Sequence, residues 1–243
     1  MLMYHAVQPG AASPAWPWAV SLPRFCAQLD FLQAEGYKTL TMAELAASPQ
    51  PPRGRSVVIT FDDGYVDNLA ARDALLQRGM RATWFIVSGS IGTDPGWKGD
   101  GRPAGRLLNA GELREMNASG MEIGSHTVSH VRLPTLGDEE LARELADSKA
   151  ALEDCLGMAV TSFAYPYGAW DARCVTAVRD AGYAAACTTR TGWALRDGDP
   201  LTLRRLTVFN TDTTASLARK LYFGSHDVSW RDIAGYALRR LKG

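Results

Sequence analysis

The sequence predicts a single α/β domain built on a parallel sheet, and two observations carry that prediction. Runs of β-branched and aromatic residues alternate with helix-patterned segments about six times along 243 residues, the rhythm of strand–helix–strand units. His5, Asp62, Asp63, His126 and Tyr167 all fall just past the C-terminal ends of four different predicted strands. An open doubly-wound sheet and a closed barrel both fit the alternation. The second observation favours the barrel, whose strand ends converge on one mouth. No Gly-x-Gly-x-x-Gly or Walker loop follows the early strands, which counts against a nucleotide-binding open sheet.

The elements read as follows. Leu2-Met3-Tyr4 is a short strand ending on His5, and residues 8 to 23, with four prolines, Trp16 and Trp18, form an ordered loop over one face. Ser21 and Pro23 open a helix through Phe25, Leu29 and Leu32 that closes on Gly36. Thr41 and Glu44 make a capping box for a short helix, and the prolines after Ser48 lead into the central strand Val57-Val58-Ile59-Thr60-Phe61. A helix from about Asp67 stops at Gly79, and Ala82 to Val87 is the next strand. Gly89 to Arg106, containing Trp97, is a loop long enough to shape a binding site. Asn109 with Glu112 starts a helix, and Met121 to Ile123 is a strand running into His126. A helix over Asp138 to Leu156, a strand Ser162 to Ala164, a helix Asp171 to Ala181, and strands near Ala184 to Thr188 and Leu206 to Phe209 complete the core. The tail from Thr214 is amphipathic, with Ile233, Tyr236, Leu238 and Leu241 beside Arg239, Arg240 and Lys242. It reads as a helix packed on the barrel, with peripheral membrane contact as the alternative.

Hydrophobic residues at 46% and charged ones at 21% describe a soluble globular chain with a substantial core. The 26 basic and 26 acidic residues cancel, so no field recruits nucleic acid. Four dispersed cysteines suit free thiols in a reducing compartment. As given, the chain reads as cytoplasmic, or as periplasmic or membrane-associated if its N-terminus has been trimmed.

The chemistry concentrates in two places. Asp62 and Asp63 are delivered together to a strand tip, with Gly64 to turn the chain. His126 and His130 are four apart, a spacing that on a helical turn stacks two imidazoles and lets them share a metal. Two histidines and one carboxylate leave an open position for water or substrate. One aspartate would then bind the ion and the other take a proton from water, each needing its own surroundings.

At this point the chain resembles the polysaccharide deacetylases with a NodB-homology domain (carbohydrate esterase family 4). The family's motifs look like Thr60-Phe61-Asp62-Asp63-Gly64, His126-Thr127-Val128-Ser129-His130 and Phe163-Ala164-Tyr165-Pro166-Tyr167-Gly168, in that order. The resemblance implies a distorted (β/α)7 barrel over residues 1–213, with 214–243 as the packed tail. It implies Asp62 as catalytic base, Asp63, His126 and His130 as ligands of one divalent metal (zinc first, with cobalt, nickel, iron or manganese as alternatives), and the Tyr167 N–H as an oxyanion donor beside Pro166. The family's fourth motif is absent, with Thr191-Gly192-Trp193 at most a remnant, and Leu201 to Arg205 lacks the usual acid histidine. Met3-Tyr4-His5-Ala6-Val7 is similar instead to the N-terminal motif of the permuted poly-β-1,6-N-acetylglucosamine deacetylase branch, which makes His5 the acid. Trp193 is expected to wall the acetyl pocket, and Arg205 to contact substrate or, like Arg204, to orient Asp62. The implied reaction is N-deacetylation of an N-acetylhexosamine in a glycan or glycan precursor, with an N-acetylated glycan or a lipid-linked sugar as the substrate partner. A deformylase or other C–N hydrolase on a small or lipid-linked sugar, and a carbohydrate-binding relative without turnover, are the alternatives.

Overall fold

The computed structural model describes residues 1–10, 13–48, 52, 54–97 and 102–226. Its strands are β1 (Leu2–Tyr4), β2 (Ala6–Gln8), β3 (Ala19–Ser21), β4 (Lys38–Leu40), β5 (Ser56–Phe61), β6 (Thr83–Ile86), β7 (Glu122–Ser125), β8 (Ser162–Ala164), β9 (Ala185–Thr191) and β10 (Leu203–Thr207). Its α-helices are α1 (Leu22–Ala34), α2 (Met42–Ala47), α3 (Asn68–Leu76), α4 (Ala110–Ala118), α5 (Asp138–Leu156), α6 (Ala172–Asp180) and α7 (Thr214–Phe223). Strands β5 to β10 pair in sequence, all parallel, and β1 closes the ring by pairing with both β10 and β5. The result is a closed, parallel, seven-stranded barrel, the distorted (β/α)7 architecture the motifs implied.

β5 is shared along its length. Its first half, Ser56 to Val58, pairs with β4 outside the ring, and its second half, Ile59 to Phe61, pairs with β1. Strand alternation then sorts the side chains into two layers. Leu2, Tyr4, Ile59, Phe61, Trp84, Ile86 and Leu206 face outward and pack with Phe25, Leu29 and Leu32 of α1 and Leu141, Leu145 and Leu152 of α5. Val58, Phe85, Ala164, Ala185, Cys187 and Leu203 form a separate inner cluster. The same two-residue step carries the inner face up to the mouth. Val58 leads through Thr60 to Asp62, Leu203 through Arg205 to Thr207, and Cys187 to Thr189.

The sequence-predicted capping box of Thr41 with Glu44 is present on α2, and Asn109 with Glu112, expected to start a helix, forms a second one on α4. Other boundaries differ. The last strand lies at Leu203–Thr207, not 206–209, because Arg205 and Thr207 are inner-face positions that alternation brings into the ladder. The proline-rich segment runs from β2 into β3, which pair as a parallel two-stranded ribbon, and β4, short and partly exposed, gave too little apolar signal to be predicted. His126 and His130 stand on a loop rather than a helical turn, with Thr127 at φ +68° and His130 at φ +57°. Of the predicted tail, α7 buries Leu217 in the core, while Ile233, Tyr236, Leu238 and Leu241 lie outside the described residues. Among the described residues no helix is long and apolar enough to cross a membrane. All four cysteines are free.

Candidate active site

The mouth of the barrel holds a cavity of about 330 Å³ lined by His5, Asp62, Asp63, His126, His130 and Tyr167. These six follow four strands, β1, β5, β7 and β8, and the closed ring brings them together. Met3, Trp16, Trp18, Arg102, Arg132, Thr189 and Thr207 complete its wall.

The adjacent aspartates are given opposite tasks by their neighbours. Arg205 is fully buried and grips Asp62 in a fork, Nη1 to Oδ1 at 2.6 Å and Nη2 to Oδ2 at 2.8 Å. The guanidinium is itself fixed by donating to the Thr188 carbonyl and the Thr60 hydroxyl. Burial alone would raise the Asp62 pKa, but the charge and hydrogen bonds of Arg205 outweigh it and hold the carboxyl below its usual range. Arg205 therefore orients Asp62 from beneath, and with no exposed surface it does not touch substrate. Arg204 instead pairs at the surface with Asp197.

Asp63 turns the other way. Its φ of +72° points the side chain at the histidines, with Oδ1 3.2 Å from His130 Nε2 and 3.7 Å from His126 Nε2. That oxygen is buried and accepts no hydrogen bond. Burial would raise the Asp63 pKa, and the neighbouring histidines more than reverse this, leaving it below the usual carboxylate range. His126 Nδ1 is 2.7 Å from the Ala164 carbonyl, so Nδ1 carries the proton and the Nε2 lone pair faces Asp63. Burial pushes the His126 pKa down to about 4, leaving the ring neutral at neutral pH, as a metal ligand must be. One donor atom from each of Asp63, His126 and His130 lies within 4.8 Å of the others. An orphaned buried carboxylate oxygen facing two imidazole nitrogens fits a divalent cation, and those three residues would hold it.

Backbone strain marks the same place. Among the described residues, the non-glycine positions with left-handed φ are Asp63, Thr127, His130 and Tyr167, every one in the three motifs. Each such conformation costs of order 1–3 kcal/mol, so the surroundings must enforce it. For the histidine loop the enforcer is Glu144 on α5. It accepts from the Val128 amide at 2.9 Å, the Ser129 amide at 3.0 Å and the Ser129 hydroxyl at 2.6 Å, while Thr127 Oγ1 accepts from the His130 amide. Glu144→Ala should weaken divalent-ion affinity about 10–100-fold, the usual effect of losing an outer support, with Glu144→Gln retaining much of it. Calorimetric titration of zinc into the metal-free variants checks this; unchanged affinity in Glu144→Ala removes Glu144 from that role.

Tyr167 also has left-handed backbone, φ +57°. The Gly168 and Ala169 amides donate to Tyr165 and Pro166, which leaves the Tyr167 N–H without an acceptor among the described residues. Gly168 closes the turn at φ +66°, where an added Cβ would come within 2.0 Å of Thr189 Oγ1. Pro166 is buried at the start of this turn and does not line the cavity. Trp193 stands apart from the cavity altogether, its indole N–H donating to the Leu221 carbonyl on α7. His5 is placed by Asn68, which accepts from the Val7 amide and donates to the His5 carbonyl. Its ring lies against Trp16 and Trp18, and Nδ1 has no hydrogen-bond partner. Desolvation lowers the His5 pKa, opposed by Asp63 and Asp62.

Parallel barrels that gather acid–base groups at this end of the sheet are enzymes, and the split between an arginine-locked carboxylate and one turned toward histidines is a hydrolase's division of labour. The chain belongs to the polysaccharide deacetylase family, whose profile matches residues 50–186. It is 32% identical over 212 residues to the Bacillus subtilis protein YxkH, provisionally named as a polysaccharide deacetylase, covering 86% of this chain and 70% of that one. It is 30% identical over 133 residues to a chitooligosaccharide deacetylase of Sinorhizobium fredii, covering 54% of this chain and 55% of the relative. Among solved structures, it resembles the Streptococcus pyogenes deacetylase PplD in complex with acetate, with a TM-score of 0.79 and 25% identity over 90% of this chain and 96% of the other. IcaB from Ammonifex degensii superposes with a TM-score of 0.75 and 27% identity over 92% and 95% of the two chains.

Proposed function

We propose that this protein removes N-acetyl groups from N-acetylhexosamine units of a glycan, releasing acetate and leaving a free amine, with one divalent ion, zinc first, on Asp63, His126 and His130. The observation that carries the reading is the pair of adjacent aspartates held in opposite roles, one forked onto buried Arg205 and one offered to two histidines. When bound, the ion would supply Lewis acidity to the amide carbonyl and a lowered water pKa, from 15.7 toward about 7. Asp62, kept ionised by Arg205, accepts the proton of the water that adds to the carbonyl carbon. The Tyr167 amide, lacking any other acceptor, donates to the oxygen that becomes negative. His5 gives a proton to the nitrogen as the C–N bond breaks. Its unpartnered Nδ1 and its place on the cavity wall suit that task, and Asp62 and Asp63 favour the protonated ring against desolvation.

Acetate release from N-acetylglucosamine oligomers by zinc-loaded protein tests the reading, and His5→Ala tests the acid. Loss of the acid should lower kcat about 10²-fold or more with metal content unchanged. A fully active His5→Ala variant would remove His5 from the mechanism. Metal-loaded wild type that releases no acetate would overturn the reaction itself.

A further inference from the structure

The mechanism uses Asp62, Asp63, His126, His130, Tyr167 and His5, and leaves two arginines on the cavity wall without a task. Arg102 and Arg132 both line it. Elsewhere Arg106, Arg173, Arg190, Arg204 and Arg205 each hold a carboxylate, but among the described residues neither Arg102 nor Arg132 is ion-paired. The acidic residues lining the cavity offer them nothing, since Asp62 is forked onto Arg205 and Asp63 faces the histidines. Both guanidiniums are held by aromatic rings instead. Arg102 lies 5.8 Å from the Trp16 ring and Arg132 4.3 Å over Tyr167. Those rings in turn pack on His5 and His130, at 5.7 and 4.5 Å between centroids. Each cation thus stands one aromatic ring out from the reacting groups. Arg102 Nη1 is buried without any hydrogen-bond partner, a position that lacks an acceptor until something enters the cavity. A planar guanidinium, pre-positioned by a ring and with donors unused, matches a carboxylate or phosphate.

We infer that the substrate is an anionic glycan: an N-acetylated sugar carrying, on itself or on the adjoining unit, a carboxylate or phosphate that Arg102 and Arg132 bind while the acetamido group reaches the mouth's base. This rests on the deacetylase reading for the reaction but not for the binding. A neutral chitin-type oligomer would fill the cavity and leave both cations unpaired.

The test compares three probes at equal chain length: a neutral N-acetylglucosamine oligomer, one alternating with lactyl-bearing N-acetylmuramic acid, and one joined through phosphodiesters. Binding is read by calorimetry and turnover by acetate release, for wild type, Arg102→Met, Arg132→Met and the double Arg→Lys variant. At least one anionic probe should bind about 10-fold or more tightly than the neutral one, and the preference should shrink as salt is raised from 50 to about 300 mM. Each Met variant should reduce the ratio toward one, chiefly through KM, and the Lys pair should keep part of it. Which anionic probe leads identifies carboxylate or phosphate as the group recognised. Equal or tighter binding of the neutral oligomer by wild type overturns the inference, as does a preference that both Met variants retain. If no probe releases acetate, the deacetylase reading fails, and the calorimetric ratio still decides the anion site.

Discussion

Replacing Asp62 by Asn is expected to cut turnover about 10²–10⁴-fold, the range for losing a general base, and separately to destabilise the protein by about 3–5 kcal/mol. The second effect follows from burial. Arg205 has no exposed surface and its two terminal nitrogens are committed to Asp62, so removing the carboxylate charge leaves a buried guanidinium uncompensated. Arg205→Met should destabilise comparably from the other side, letting the Asp62 pKa rise toward what burial alone dictates. The double variant Asp62→Asn, Arg205→Met removes both charges and should recover most of the stability and none of the activity. pH dependence carries the same signature. The folded-state pKa of Asp62 is depressed, so the pair's stabilisation is full above the unfolded value of about 3.9. It is lost as pH falls through the lower folded value, and the double variant should lack that acid limb. Urea melts across pH 2–7 beside kcat measurements check all of this. Additive single-variant losses in the double variant would mean that the pair is not coupled.

The second large effect concerns the ion. His130→Ala should abolish stoichiometric zinc binding and lower turnover by more than ~10³-fold, several kcal/mol of lost charge stabilisation. Asp63→Asn should behave alike, because its Oδ1 is the buried atom left without a partner. Wild type should also gain thermal stability on adding metal, about 4 kcal/mol at a thousandfold excess over Kd, and His130→Ala should gain almost none. Metal analysis after dialysis, with melts run with and without zinc, decides it. A His130→Ala variant that still melts higher with zinc would place the ion elsewhere.

The sequence displayed some of this site and concealed the rest, for physical reasons. Asp62, Asp63, His126 and His130 were legible because each follows a strand whose apolar run marks where the chain surfaces. The Thr41–Glu44 capping box and the helix start at Asn109 with Glu112 were legible because each is contained within four residues. Arg205 was harder. Its partner lies in a distant strand, and only the two-residue step Leu203–Arg205–Thr207 would have put it inside the barrel. Read that way, the same parity would have flagged Thr207 and Thr189. Trp193 looked like a pocket wall because it follows a strand, but the chain leaves the barrel there to meet α7. The histidine spacing suggested a helix, whereas left-handed residues clamped by Glu144 achieve the convergence. Nothing local to residues 126–130 announces a clamp that comes from the middle of α5.

β1 shuts the ring, and this orders events during synthesis. Its partners are β5 and β10, with Leu2 opposite both Ile59 and Leu206. β1 therefore leaves the ribosome well before one of its two seats, built near the end of the barrel sequence, is made. β4 can cover the lower half of β5 early, but the upper half, which ends at Asp62, has an open edge until β1 settles there. Such edges invite pairing with other chains, and contacts this distant along the chain form slowly. His5 follows directly on β1, so the proposed acid joins the proposed base as the barrel closes. On the proposed mechanism, a nascent chain is thus incapable of hydrolysis until its sheet has no free edge left at the mouth.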